Sequence, residues 1–136
     1  MADTLRDAVL SPWLHWLALL CMCSPYLQGG FDKLRDFPAA VSEMRHFGLA
    51  PSTSWAVAVI ALEIGASALI LTGWQRWLGA LALAIFTALA SVMADRFWIA
   101  PASKSRSVTN AFFEHWGLVG AFMLIAWHDL GGRLGA

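Results

Sequence analysis

Between Ala8 and Phe31 the chain runs for 24 residues without a charged side chain, and from Trp77 to Ala94 it does so again for 18. Between His46 and Gln75 a single charge, Glu63, interrupts a third apolar stretch. A helix needs about 20 predominantly apolar residues to cross about 30 Å of hydrocarbon. Runs of this length therefore constrain the chain more than any other feature, because only helices and closed barrels satisfy their backbone hydrogen bonds inside a bilayer.

Composition points the same way. Of the 136 residues, 59% are hydrophobic and 13% charged, against roughly 25% charged in globular proteins. A soluble domain of this length keeps about a third of its unfolded surface in water, and nine acidic plus nine basic residues would cover it thinly. The expectation is an all-α integral membrane four-helix bundle, one transmembrane domain over residues 1–136. Its helices fall at residues 8–34, 53–72, 76–98 and 109–130.

Pro12 lies near the start of the first helix, where proline is tolerated, and Pro25 lies inside it, where a kink is expected. The first apolar run is too long for the core of a cleaved signal and is read as retained. A polar hinge follows with Lys33, Arg35, Asp36, Glu43, Arg45 and His46. Within it Val41, Met44 and Phe47 recur at helical spacing, predicting an interfacial amphipathic helix over Pro38–Phe47. The second helix stops at Gly73, and the short turn Trp74-Gln75-Arg76 makes helices two and three antiparallel neighbours. A polar loop over residues 99–109 precedes the fourth helix, and a glycine-rich tail follows it. Trp13, Trp16, Trp55, Trp74, Trp77, Trp98 and Trp127 gather near helix ends, as an aromatic belt would. Arg6, Arg76 and Arg133 face one side, and Lys33, Arg35, Arg45, Arg96, Lys104 and Arg106 the other, so the positive-inside rule places both chain ends outside the cytoplasm.

The net charge is zero and no basic stripe is present, so the expected partner is the lipid bilayer and not nucleic acid. Cys21 and Cys23 stand two residues apart, about 200° around a helix. They read as packing residues, with a redox pair possible only if the helix breaks at Pro25. No metal-ligand spacing, phosphate loop or nucleophile elbow occurs, so no catalytic residue and no metal ligand is assigned.

Ionisable groups in membrane helices cost about 2.5–3.5 kcal/mol at the centre on insertion scales and so invite a role. Glu63 lies near the middle of the second helix with Ser67 one turn on. It reads either as an interhelical lock or as a ligand- or proton-handling carboxyl. Thr87, Ser91 and Asp95 form a polar stripe on the third helix beside the small stripe Ala80, Ala84 and Ala88. The stripe reads as packing or as one wall of a pocket. Asn110, Glu114 and His115 open the fourth helix, followed by Gly117 and Gly120 as a close-packing face. Lys33, Asp95, Arg96, Glu114 and His115 should share one rim, either as a polar site or as ordinary solvated helix ends. His15 and His128 lie toward the opposite interface.

The arrangement resembles the DoxX family of small bacterial four-helix membrane proteins. The matching features are Gly30-x-x-Lys33, Phe47-Gly48-Leu49-x-Pro51, Glu63-x-Gly65-Ala66 with Gly73 and Arg76, and Asn110 with Gly120-Ala121-Phe122, over residues 10–126. Glu114 departs from the pattern, standing where relatives often carry lysine. The resemblance implies a multi-pass protein of the bacterial inner membrane linked to redox work. Relatives are named after small subunits accompanying quinol oxidase and thiosulfate:quinone oxidoreductase systems, or are associated with oxidative-stress defence.

Three functions remain open at this point. One is an accessory subunit of a larger quinone-linked or oxidative-stress-related redox complex, with a quinone head-group held by Glu63, Ser91 and Asp95. Another is a small membrane enzyme for a lipophilic quinone-like molecule, with Glu63 or His115 as the acid-base group. The third is a carrier coupled through Glu63. Candidate ligand-binding residues are Lys33, Glu63, Ser67, Ser91, Asp95, Glu114 and His115. No cofactor is evident beyond a quinone, and the small-residue stripes leave a homo-oligomer open.

Overall fold

The computed structural model describes residues 1–135. Six α-helices follow one another: α1 Ala2–Val9, α2 Pro12–Arg35, α3 Phe37–His46, α4 Ser52–Thr72, α5 Arg76–Ala94 and α6 Ser105–Gly135, with a 3-10 turn at Phe97–Ile99. Among the described residues there is no strand. Three stretches are long and apolar enough to cross a membrane: Ser52–Thr72, Arg76–Ile99 and Ser105–Arg133. The pair α1 and α2, bent by 50°, makes a fourth when taken as one broken span.

The helix count exceeds the expected four for local reasons. Pro12 disfavours helical backbone at Ser11, which is extended at ψ 142. The Ser11 hydroxyl donates to Ala8 O at 2.8 Å and accepts the Leu14 N–H at 3.3 Å, ending α1 and capping α2 in one residue. The expected first helix from residue 8 therefore begins at Pro12.

Pro25 does not break α2. Its ring removes the N–H that would have bonded Cys21 O, and the Ser24 hydroxyl donates to that carbonyl at 2.7 Å. With the helix continuous, the redox pair loses its premise. Cys21 is exposed, Cys23 is buried on another face, and both are free thiols.

The amphipathic segment forms α3, with the Asp36 carboxylate accepting the Ala39 N–H at 3.2 Å as its cap. Its inner face is Ala40 and Met44, packed on Ala56 of α4 with Phe37 and Val41 alongside. Phe47 falls outside this face and instead meets His46 edge-on. α3 therefore lies against the bundle along a stripe offset from the expected Val41-Met44-Phe47 one.

Gly73 ends α4 with φ 82, a left-handed backbone in which glycine carries no Cβ penalty. α5 stops at Ala94, a turn short of the expected Trp98. α6 begins four residues before the expected 109 and runs on through Gly131 and Gly132. Those glycines weaken a helix, and the Asp129–Arg133 pair at 3.1 Å straddles them one turn apart.

α2, α4, α5 and α6 enclose one core of Leu19, Cys23, Tyr26, Ala66, Ile70, Ala80, Leu83, Ala84, Val119, Phe122 and Ala126. Ala80 and Ala84 are buried there, so the small stripe of α5 is a packing face. Gly79 extends it: a Cβ at that position would lie 2.6 Å from Ala66 O, so α5 approaches the α4 backbone only because the side chain is absent. Gly117 and Gly120 differ, with open space where each Cβ would stand. They lie on the outer side of α6 and close no internal contact. Outward-facing Leu14, Val57, Leu78, Ile85, Leu89 and Met123 make an apolar exterior that fits lipid.

At the α4–α5 turn the Asp129 carboxylate of α6 accepts the Trp77 N–H at 3.0 Å. α5 has no side-chain cap from its own N-terminal residue: Gln75 is left-handed, and its side-chain oxygen accepts from the Trp77 indole N–H at 2.9 Å instead of from a backbone N–H. α6 thus caps α5 from across the bundle. Trp16 Nε1 donates to Leu71 O at 3.1 Å and ties α2 to the same end.

Candidate functional site

Four polar side chains are buried among the described residues: Glu63, Ser67, Thr87 and Ser91. They sit on the facing sides of α4 and α5, halfway along the bundle and toward the end where α2 finishes. Lys33, on the last turn of α2, supplies the nearest cation. Side chains on a helix lean toward its N-terminus, so Lys33 reaches back into the bundle. Its Nζ donates to Glu63 Oε1 at 2.9 Å, with the glutamate 4% exposed.

Two glycines of α2 provide the room. A Cβ at Gly29 would fall 2.8 Å from Glu63 Oε2 and 3.5 Å from Lys33 Nζ, and one at Gly30 would fall 2.7 Å from Ile64 Cγ1. The ion pair occupies the volume a side chain at Gly29 would fill, and Ile64 the volume at Gly30. Their attraction repays part of the cost of withdrawing both from water, and a buried charge left without its partner would bear that cost in full.

Along the same interior, the hydroxyls of Tyr26 and Thr87 are hydrogen-bonded to each other. Tyr26 is held by edge-on contacts with Phe122 and Phe86, at centroid distances of 5.5 and 6.4 Å. Ser67 does not turn to the Glu63 carboxylate: its hydroxyl donates to the Glu63 backbone carbonyl at 2.7 Å. Ser91, one turn beyond Thr87, is 1% exposed and its hydroxyl has no partner among the described residues. A buried polar group in that state costs about 1–3 kcal/mol, and it stands out among neighbours that are all satisfied.

The expected rim of five residues divides. Lys33 goes to Glu63, whereas Asp95 and His115 pair with each other, Oδ2 to Nδ1, at 2.6 Å. Arg96, just past the end of α5, turns back onto that helix and donates to Val92 O at 3.2 Å. Glu114 is exposed and lines a shallow, open depression with Ser103, Arg106, Ser107, Asn110 and Ala111, away from the other four. Antiparallel packing of α5 and α6 brings Asp95 and His115 opposite each other, while helical rotation carries Glu114 about 100° off that face. Beside the Asp95–His115 pair stands an aromatic group in which Phe97 meets Phe112 at 5.2 Å and Phe112 meets Trp116 at 6.0 Å.

The result is a polar column along α5, from Thr87 with Tyr26, past unpartnered Ser91, to Asp95 with His115, and flanked by the Lys33–Glu63 pair. Sequence reading singled out Glu63, Ser91 and Asp95 and missed Tyr26 and Gly29. For Gly29 the available signal was its spacing of four from Lys33, which puts both on one face of α2.

A protein-family model, DoxX, matches residues 16–96, which is most of α2 through the end of α5. Lys33, Glu63, Ser67, Ser91 and Asp95 lie inside the matched residues, and Glu114 and His115 beyond them. No curated protein and no solved structure matches the chain.

Proposed function

The chain belongs to the DoxX family, and from that premise we propose that it crosses a bacterial inner membrane four times and serves as an accessory subunit of a quinone-linked or oxidative-stress-related redox system. In this reading the bent α1–α2 pair is the fourth span, and the polar column receives the head-group of a quinone. Electrons pass between the quinone and a partner protein, and this chain supplies position and hydrogen bonds.

The observation that carries the reading is Ser91, a buried hydroxyl with no protein partner, placed between two satisfied polar pairs. A quinone carbonyl accepts hydrogen bonds, and a serine hydroxyl has one to give.

The test is purification of the tagged chain from its native membrane in mild detergent, with mass spectrometry of co-purifying proteins and solvent extraction for quinone. A redox enzyme recovered in fixed ratio, together with quinone, supports the subunit reading. A chain recovered alone and without quinone overturns it.

A second reading rests on the Asp95–His115 pair. With Nδ1 held by Asp95, the other ring nitrogen of a partly exposed imidazole is left for a substrate, an arrangement suited to acid-base work on a small lipophilic molecule. Turnover by the purified chain alone, abolished in His115→Gln with folding intact, separates this enzyme from a subunit. Net flux into liposomes, lost in Glu63→Gln, identifies the carrier.

A further inference from the structure

The end of the bundle opposite the column carries a second built feature, a cleft of about 230 Å³ between the start of α2 and the last turns of α6. It is lined by His15, Arg76, Leu124, Ile125, His128 and Asp129. Arg76 uses Nε to hold Ile70 O at 2.8 Å, which fixes the guanidinium in place and leaves its other N–H groups unassigned. Among the described residues no carboxylate stands within ion-pair distance of it.

Asp129 shares the cleft with Arg76 and acts on it electrostatically, but its one negative charge is divided: Oδ2 also accepts the Trp77 N–H at 3.0 Å and Arg133 Nε at 3.1 Å. Two guanidinium groups against one carboxylate leave one positive charge. His15 and His128 add ring N–H donors from the two walls. Below them Leu124 and Ile125 turn the floor apolar, and Leu124, 67% exposed, opens it sideways to the hydrocarbon. Exposed Trp13, Trp74 and Trp127 mark this end as head-group depth.

A fixed cation and two further donors above an apolar, laterally open floor match an amphiphile with an anionic head. We propose that this cleft binds an anionic phospholipid, its phosphate against Arg76, His15 and His128 and an acyl chain along Leu124 and Ile125. The site is separate from the polar column and stands whether or not a quinone binds there.

The full chain, delipidated in detergent, is melted with added phosphatidylglycerol, phosphatidylcholine or inorganic phosphate. Phosphatidylglycerol raises the melting temperature, and the other two do not at equal concentration. In Arg76→Gln that rise is lost. In the double variant His15→Ala/His128→Ala, which leaves the Arg76 anchor on Ile70 untouched, apparent lipid affinity falls about tenfold or more, the scale of hydrogen bonds to a charged group. If Arg76→Gln fails to fold, the histidine variant carries the test. Equal stabilisation by both lipids, a phosphatidylglycerol effect that survives in the folded variants, or a full effect from inorganic phosphate alone would each overturn the proposal.

Discussion

Lys33 of α2 and Glu63 of α4 meet at 2.9 Å over Gly29, the position where any side chain would separate them. The pair joins two helices at the point where a lone charge would be least tolerable, and it leaves the rest of the column to weaker polar contacts.

Glu63→Gln leaves the Lys33 ammonium without its counter-charge. We expect a loss of about 3 kcal/mol, the low end for a broken buried pair, because a lysine near a helix end swings partly toward the rim. Lys33→Met with Glu63→Leu together should cost less than the sum of the single changes. Unfolding in mixed detergent micelles reads the cycle, and additive losses would show that the two groups are not coupled.

Gly79→Ala and Gly117→Ala should have opposite signs. At Gly79 the new methyl meets Ala66 O at 2.6 Å, a backbone atom that moves only with the helix, and overpacking of this kind costs about 1–3 kcal/mol. At Gly117 nothing lies within 4 Å, so removing a helical glycine should stabilise by roughly 0.5–1 kcal/mol. Melting temperatures of the two variants provide the comparison.

Asp129→Ala removes the cap that α6 gives to α5. The expected loss is about 1 kcal/mol, typical of an N-cap deletion, with Asp129→Asn losing less because its amide oxygen still accepts the Trp77 N–H. An unchanged unfolding curve for Asp129→Ala would mean the α5 terminus finds another partner.

Ser91→Ala should leave the ligand-free protein as stable as before or more so, since an unpartnered buried hydroxyl is a cost and alanine is close to it in size. A loss larger than about 1 kcal/mol in quinone-free detergent would reveal a protein partner for that hydroxyl.

Much of the fold was legible in the chain because hydrophobic run length and helix breakers are local signals. Gly73 ends α4 and the turn to α5 falls where glycine and the short polar link put it. α1 escaped because its break depends on Ser11 serving two helices at once, and α6 runs on through Gly131 and Gly132, the glycines that suggested a tail. In the site, periodicity identified Glu63 and the Thr87-Ser91-Asp95 stripe but not how their partners divide. That Lys33 turns inward to Glu63 while His115 takes Asp95 depends on helix rotation and on empty space at Gly29, neither of which a single helix discloses. The Asp129 contact with Trp77 joins residues 52 apart and left no trace in spacing.

The most direct measurement is the amount of quinone extracted per protein from wild type, Glu63→Gln and Ser91→Ala, each purified folded from native membranes in mild detergent. A quinone held in the polar column predicts near-equal amounts of quinone and protein in wild type and a drop of at least about fivefold in both variants, the loss expected from one missing hydrogen-bond or charge partner. Wild-type protein that is folded but carries no quinone, or variants that retain as much as wild type, would contradict it.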